Sequence, residues 1–376
     1  MAEACAVILL AALTAYIVLA GADFGAGFWD LTAGGAERGG PVRGLVQRSM
    51  SPVWEANHVW LILLFTVFWT AFPEAFASTV STLYIPMFAA AIGIIFRGAA
   101  FAFRGQAGTI RDARFFGGLF ATASVIVPFA LGTVVGAVAS GRVPVGNAAG
   151  DPVGSWLNPT GILVGVLAVA VGTYMSAVFL CHDAVRAEQP GLVRAFRRRA
   201  VGSGLVTGAI AIVGLFVLRG DARTLYDGLT GGVAVWLVAA SIVAGLATLT
   251  LVGRTERFGW ARLTAAVAVV GLVAAWGAAQ EPDLLPGALT IGEAAAGDAT
   301  LQAVLISTGI AVVVLTPSLA LLFRLVLTGR LDQEYAPLDH RFRPFDALSN
   351  GAGAPAAAGG PPTSADPVDR SEGDDR

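Results

Sequence analysis

Apolar residues run along this chain in long unbroken blocks rather than alternating with polar ones, and charge, Pro or Gly marks the block ends. Nine such blocks cover residues 4–28, 53–72, 76–103, 115–140, 158–182, 200–218, 229–252, 262–280 and 300–325. Each is close to the roughly 20 residues that an α-helix needs to cross a bilayer. A continuous apolar block can satisfy its backbone hydrogen bonds internally as a helix, whereas a barrel strand would alternate polar and apolar positions. The expectation is an all-α, polytopic membrane helical bundle of about nine transmembrane helices. Gly132 with Gly136, and Gly161 with Gly165, have the small-xxx-small spacing that lets helix backbones approach.

Arg placement orients these spans. The connections after odd-numbered spans carry Arg38, Arg43 and Arg48, then Arg104, Arg111 and Arg114, then the group from Arg186 to Arg199, then Arg254 and Arg257. Those after even-numbered spans hold only Arg142, Arg219 and Arg223. Because cytoplasmic loops retain positive charge, the N-terminus is expected outside and the C-terminus inside. The bundle is taken as residues 1–330. Residues 331–376 end in a Gly-, Ala- and Pro-rich stretch with few large apolar groups, expected to be a largely disordered cytoplasmic tail.

Composition supports a membrane class. The chain is 56% hydrophobic and 13% charged, against roughly 25% charged in an ordinary soluble domain. All 24 basic residues are Arg, and no basic domain for nucleic acid stands out. Cys5 and Cys181 lie in apolar surroundings and form no CxxC site, so packing is their expected role. Residues 2–7 contain Glu3 and no positive charge, so the first block reads as a retained helix rather than a signal peptide.

Ionisable side chains within hydrocarbon cost about 2.5–3.5 kcal/mol on insertion scales, which makes each a functional candidate. Here they gather in the first three spans. Asp23 lies in GADFGAGFWDL, with Asp30 seven residues on; Asp30 either shares its helical face or begins the solvated loop. In SPVWEANHVW, Pro52 suits a helix start, and Glu55 and His58 fall at i and i+3 with Asn57 beside them. That cluster can relay protons, or it can complement the helix dipole with His58 packed in the core. Arg97 needs an anion, whether Asp23, Glu55 or a propionate of a neighbouring subunit, unless it snorkels to the interface. Trp54 and Trp60 suit interface or core packing. His182 and Asp183 end the fifth span; a metal site there is conceivable, but one His at a helix end is more often a capping or interfacial residue, and no metal ligation is expected.

GADFGAGFWDL at 21–31, SPVWEANHVWL at 51–61 and FRGAAFAFR at 96–104 together resemble subunit II of cytochrome bd-type quinol oxidases, with similar spacing between the motifs. The resemblance implies an oxidoreductase of a respiratory chain in the bacterial cell membrane, which oxidises quinol and reduces oxygen to water with protons drawn from the cytoplasm. It also implies a heterodimer in which a partner, subunit I, holds two haems b and one haem d, while this chain ligates none and is not catalytic alone. A small accessory subunit, quinol and lipid are the further implied partners, together with a structural quinone. Glu55 resembles an entry point for protons, and Asp23 and Arg97 match positions that line or stabilise the route. Many relatives have a WDGN pattern where this chain has Trp54, Glu55, Ala56 and Asn57, followed by His58. A proton-coupled secondary transporter is the alternative reading. Transporters usually show repeated halves or paired broken helices, and the intramembrane charges here have no counterpart cluster in later spans.

Overall fold

The computed structural model describes residues 1–50, 54–104 and 109–327. Twelve α-helices and one small hairpin follow in chain order. They are α1 (Ala2–Leu31), α2 (Ala36–Met50), α3 (Trp54–Ala71), α4 (Pro73–Thr82), α5 (Tyr84–Arg104), α6 (Ile110–Ala139), α7 (Pro159–Arg186) and α8 (Pro190–Asp221). After these come α9 (Arg223–Thr230), α10 (Ala234–Arg254), α11 (Phe258–Gln280), the antiparallel strands β1 (Asp283–Leu285) and β2 (Leu289–Thr290), and α12 (Asp298–Leu327). Eight helices are long and apolar enough to span a membrane; counting the bent α3–α4 pair as one broken span gives nine. The chain is a multi-pass helical membrane protein.

α1 and α7 form the centre. They cross where glycine removes the side chains between them: a Cβ on Gly25 would fall 1.9 Å from the Gly172 carbonyl oxygen. The two small-residue pairs of the sequence meet each other at the next crossing. A Cβ on Gly132 would lie 2.7 Å from Gly165 Cα, and one on Gly136 would lie 2.8 Å from Gly161 Cα, so α6 and α7 touch backbone to backbone over one full turn. Around this centre pack α5 against α6, α8 against α7, and α10 against α11.

Three departures from the sequence expectation have local causes. The block at 76–103 is not one helix: α4 starts with Pro73 in its first turn, bends 119° from the segment Asn57–Ala71, and ends at Leu83 before α5 begins. Ser81 Oγ bonds back to the Ala77 carbonyl oxygen at 2.6 Å and Ser78, Thr79 and Thr82 are buried, so FASTVST merges with its neighbour in a hydropathy reading. Second, residues 36–50, read as a loop, form α2, which buries Val42, Leu45 and Val46 at helical spacing beside Met175 and Val178 of α7. Third, Leu285 of the β1–β2 hairpin is buried in a cluster with Phe72 and Leu301, which closes the end opposite α2. Cys5 and Cys181 are buried free thiols, as packing requires. The expected tail, with His340, Arg341 and Arg343, lies outside the described residues.

Candidate intramembrane charge relay

Two aspartates of α1 meet two arginines of α5, and the same separation of 74 residues joins each pair. Asp23 to Asp30 and Arg97 to Arg104 are both steps of seven, so each pair sits on one face of its helix, about 10 Å apart along the axis. The result is two charged rungs in register between parallel helices.

The inner rung is Asp23 with Arg97, each only 2% exposed. Arg97 Nη2 donates to Asp23 Oδ1 at 2.6 Å and to the Asp23 carbonyl oxygen at 3.3 Å. Its Nε donates to Ser124 Oγ of α6 at 2.9 Å, and that hydroxyl in turn donates to the Phe120 carbonyl oxygen. The guanidinium is held between aromatic faces, 4.6 Å from the Phe24 ring centroid and 4.8 Å from that of Phe120. Gly27 makes room for Ser124: a Cβ there would fall 2.2 Å from the Ser124 hydroxyl. Asp23 Oδ2 is buried and has no hydrogen-bond partner among the described residues. Snorkelling is thus excluded for Arg97, whose anion is Asp23.

The outer rung is saturated. Asp30 is 3% exposed. Its Oδ2 accepts from Arg104 Nη1, and its Oδ1 accepts from Arg104 Nη2 at 3.4 Å and from Arg43 Nε of α2 at 3.0 Å. Arg43 also donates to the Gly34 carbonyl oxygen at 2.6 Å, which fixes the turn that leads into α2. Asp30 is therefore a buried ion-pair centre and not the solvated start of a loop.

α3 brings the remaining expected residues to the same place. Asn57 is buried and its Nδ2 donates to the Leu19 carbonyl oxygen of α1 at 3.4 Å. His58 is half-buried within electrostatic reach of both Arg97 and Asp23, as is the buried Tyr16. Trp60 packs on the cluster of Tyr16, Ala20 and Phe24. Residues 51–53, with Pro52, and the side chains of Trp54 and Glu55 lie outside the described residues; the backbone of Glu55 is in the first turn of α3. Sequence reading missed Ser124, Phe24, Phe120 and Tyr16. None carries a charge, and only Phe24 lies within a quoted motif, although Asp30 and Arg104 were discoverable from the repeated step of seven.

His182 stands apart at the end of α7. Among the described residues no group of three or more His, Cys, Asp or Glu is placed to hold a metal ion, and the two imidazoles, His58 and His182, lie in separate parts of the bundle.

The family described as cytochrome bd terminal oxidase subunit II matches residues 1–326. A Bacillus subtilis (strain 168) protein provisionally named cytochrome bd menaquinol oxidase subunit II is 24% identical over 248 residues, which cover 65% of this chain and 70% of the relative. The cytochrome bd ubiquinol oxidase subunit 2 of the same organism is 32% identical over 128 residues, 34% of this chain and 37% of its own length. The solved bd oxidase from Geobacillus thermodenitrificans contains a chain of similar fold, with a TM-score of 0.69 and 26% identity over 87% of this chain and 98% of that one. A match over nearly all the described helices, with a fold and motifs that agree, places this multi-pass protein of the bacterial cell membrane in one family and leaves the transporter reading unsupported: the chain belongs to the cytochrome bd terminal oxidase subunit II family.

Proposed function

We propose that this chain is the subunit of a quinol:oxygen oxidoreductase that ligates no haem, supports the haem-bearing subunit I, and lines a cytoplasmic proton route toward the oxygen-reducing site. Glu55 and Asn57 at the start of α3 form its mouth, with His58 beside them and Asp23 as the next acceptor; Arg97 holds the charge of Asp23 in place. The N-terminus is outside and the C-terminus inside, so the Arg-rich helix ends and this mouth face the cytoplasm. Haems b and d of subunit I supply the electron transfer and oxygen chemistry, and quinol supplies electrons. What this chain adds is a polar path in an apolar wall.

The observation that carries this reading is the divided carboxylate of Asp23. One oxygen is fixed by Arg97 at 2.6 Å, while the other is buried without a partner among the described residues. A buried acceptor with nothing bound is costly unless a water or a proton donor visits it. The neighbours that could hand on a proton, His58 and Tyr16, lie within electrostatic reach of Asp23.

The test is Asp23→Asn in the complex co-expressed with its partner, followed by oxygen uptake with a quinol and by reduced-minus-oxidised spectra. Turnover falling at least tenfold with haem bands and co-purification intact supports the route, and Asp23→Glu should restore part of it. Unchanged turnover means that the polar cluster is scaffolding. Glu55→Gln serves as the matching test at the mouth.

A further inference from the structure

We infer that the groove between α8 and α10, at the Arg-rich end of the bundle, binds one anionic phospholipid through its phosphate headgroup. This inference is independent of the proton route. Arg194, Arg197, Arg198, Val201 and Gly202 line the groove from α8 and Gly253 from α10. On α8 they fall at i, i+3, i+4, i+7 and i+8, a single stripe of one helix.

Charge is in excess in this stripe. None of Arg194, Arg197, Arg198 and Arg199 is paired with a carboxylate among the described residues, unlike Arg43, Arg97, Arg104, Arg142, Arg223 and Arg262. Arg197 is used internally, its Nη2 donating to the Gly253 carbonyl oxygen, which ties the two walls together. Arg199 points elsewhere, stacked over Trp29 and Phe196 at 5.1 and 4.9 Å. Arg194 and Arg198 are exposed and make no hydrogen bond within the chain among the described residues. Two free guanidiniums thus flank a groove whose floor is open: neither Gly202 nor Gly253 has an atom within 4 Å of where a Cβ would stand.

The same stripe turns apolar one turn further along. Leu205 and Val206 are 60% and 56% exposed on α8, and Leu246 and Val243 are 58% and 66% exposed on α10. The level is right for a headgroup. α8 has 32 residues, about 48 Å at 1.5 Å each, against a hydrocarbon layer about 30 Å thick. Arg198 and Arg194 lie about 5 and 10 Å further along the helix axis than Val201, toward the Arg-rich end. A cationic groove continuous with two apolar walls fits an amphiphile, and basic pockets between helices at this surface hold anionic headgroups. A bare anion would leave the apolar walls unused.

The test uses the assembled complex in detergent, with native mass spectrometry for retained lipid and thermal stability on adding phosphatidylglycerol, phosphatidylcholine or inorganic phosphate. Phosphatidylglycerol should bind and raise the melting temperature, while the other two should not. The Arg194→Gln/Arg198→Gln variant should bind about 30-fold more weakly, as expected for two surface charges. Gly202→Leu keeps all the arginines and fills open space, so it should lose binding without loss of assembly. Equal retention in wild type and both variants, or an equal shift with phosphatidylcholine or phosphate, overturns the proposal. A lipid effect that appears only after residues 349–376 are removed makes the acidic tail the native occupant and overturns it too.

Discussion

Removing one partner of the inner rung should be far more damaging than its hydrogen-bond length suggests, because burial and not distance sets the magnitude. In Asp23→Leu, Arg97 keeps Ser124 and the faces of Phe24 and Phe120 but loses its anion while 2% exposed. Breaking a buried pair typically costs about 3–5 kcal/mol, because the surviving charge stays desolvated. Contacts with two aromatic rings, about 0.5–2 kcal/mol each, place Asp23→Leu toward the low end and Arg97→Leu toward the high end. The double variant Asp23→Leu/Arg97→Leu leaves no unpaired charge in this rung and should recover most of the loss. The exposed Arg223–Asp227 pair, 62% and 56% accessible at 3.0 Å, is the internal control and should couple by about 0.3–0.5 kcal/mol. The assay is a double-mutant cycle for each pair by equilibrium unfolding in mixed detergent. Additive losses at Asp23 and Arg97, or a coupling no larger than in the control, would refute the burial argument.

Three further outcomes follow from the geometry. Gly136→Val should prevent stable assembly, since its Cβ would stand 2.8 Å from Gly161 Cα, whereas Gly118→Ala meets open space and should gain up to about 1 kcal/mol; yield of monodisperse complex distinguishes them. Arg142 donates to both oxygens of Asp221 at 2.9 and 2.6 Å and lies half-exposed, so Arg142→Leu should cost only about 1 kcal/mol after screening, read from the melting temperature of the complex. The Thr290 amide and hydroxyl hold the Glu293 carboxyl below the usual carboxylate range. A depressed folded-state value stabilises the turn above about pH 4 and loses that contribution as pH falls through it, so hydrogen exchange at the Thr290 amide, corrected for intrinsic rate, should accelerate only in acid.

Much of this was legible in the sequence because a bilayer leaves few solutions for an apolar block. The span count follows from length, and Gly132, Gly136, Gly161 and Gly165 were visible as contacts whose partners were unknown until α6 and α7 crossed. α2 was illegible for a physical reason. Its sequence, AERGGPVRGLVQRSM, has Gly39, Gly40 and Pro41 against it, and it stands because Val42, Leu45 and Val46 find a core on α7 while Arg43 is fixed by Asp30. That is tertiary stabilisation overriding propensity. Asp23 and Arg97 could each be flagged as intramembrane charges, but several anions were open to Arg97. Only the neutral contributors of α6, Ser124 and Phe120, make the position opposite Asp23 the one where a guanidinium is satisfied.

The two rungs share a register and differ in what they leave unused, which separates structural charge from working charge. Both oxygens of Asp30 are taken by guanidinium donors, from Arg104 on one side and from Arg104 and Arg43 on the other. In Asp30→Asn, whichever position receives the amide nitrogen turns an acceptor into a donor that faces another donor, and two arginines lose their counter-ion. Loss of assembled complex is the expected result, with little haem recovered to assay. Asp23 gives only Oδ1 to Arg97, so an Asn at 23 can set its oxygen there and its nitrogen where Oδ2 now has no partner among the described residues. The shape and one hydrogen bond survive, and one arginine, Arg97, loses its counter-ion instead of two; a group that gains and releases protons does not survive. Asp23→Asn should therefore spare assembly better than Asp30→Asn while depressing turnover per assembled complex, measured as oxygen uptake normalised to haem. If the two variants lose assembly equally, the unpartnered oxygen of Asp23 is not idle in the folded protein, and the division between a structural and a working rung fails.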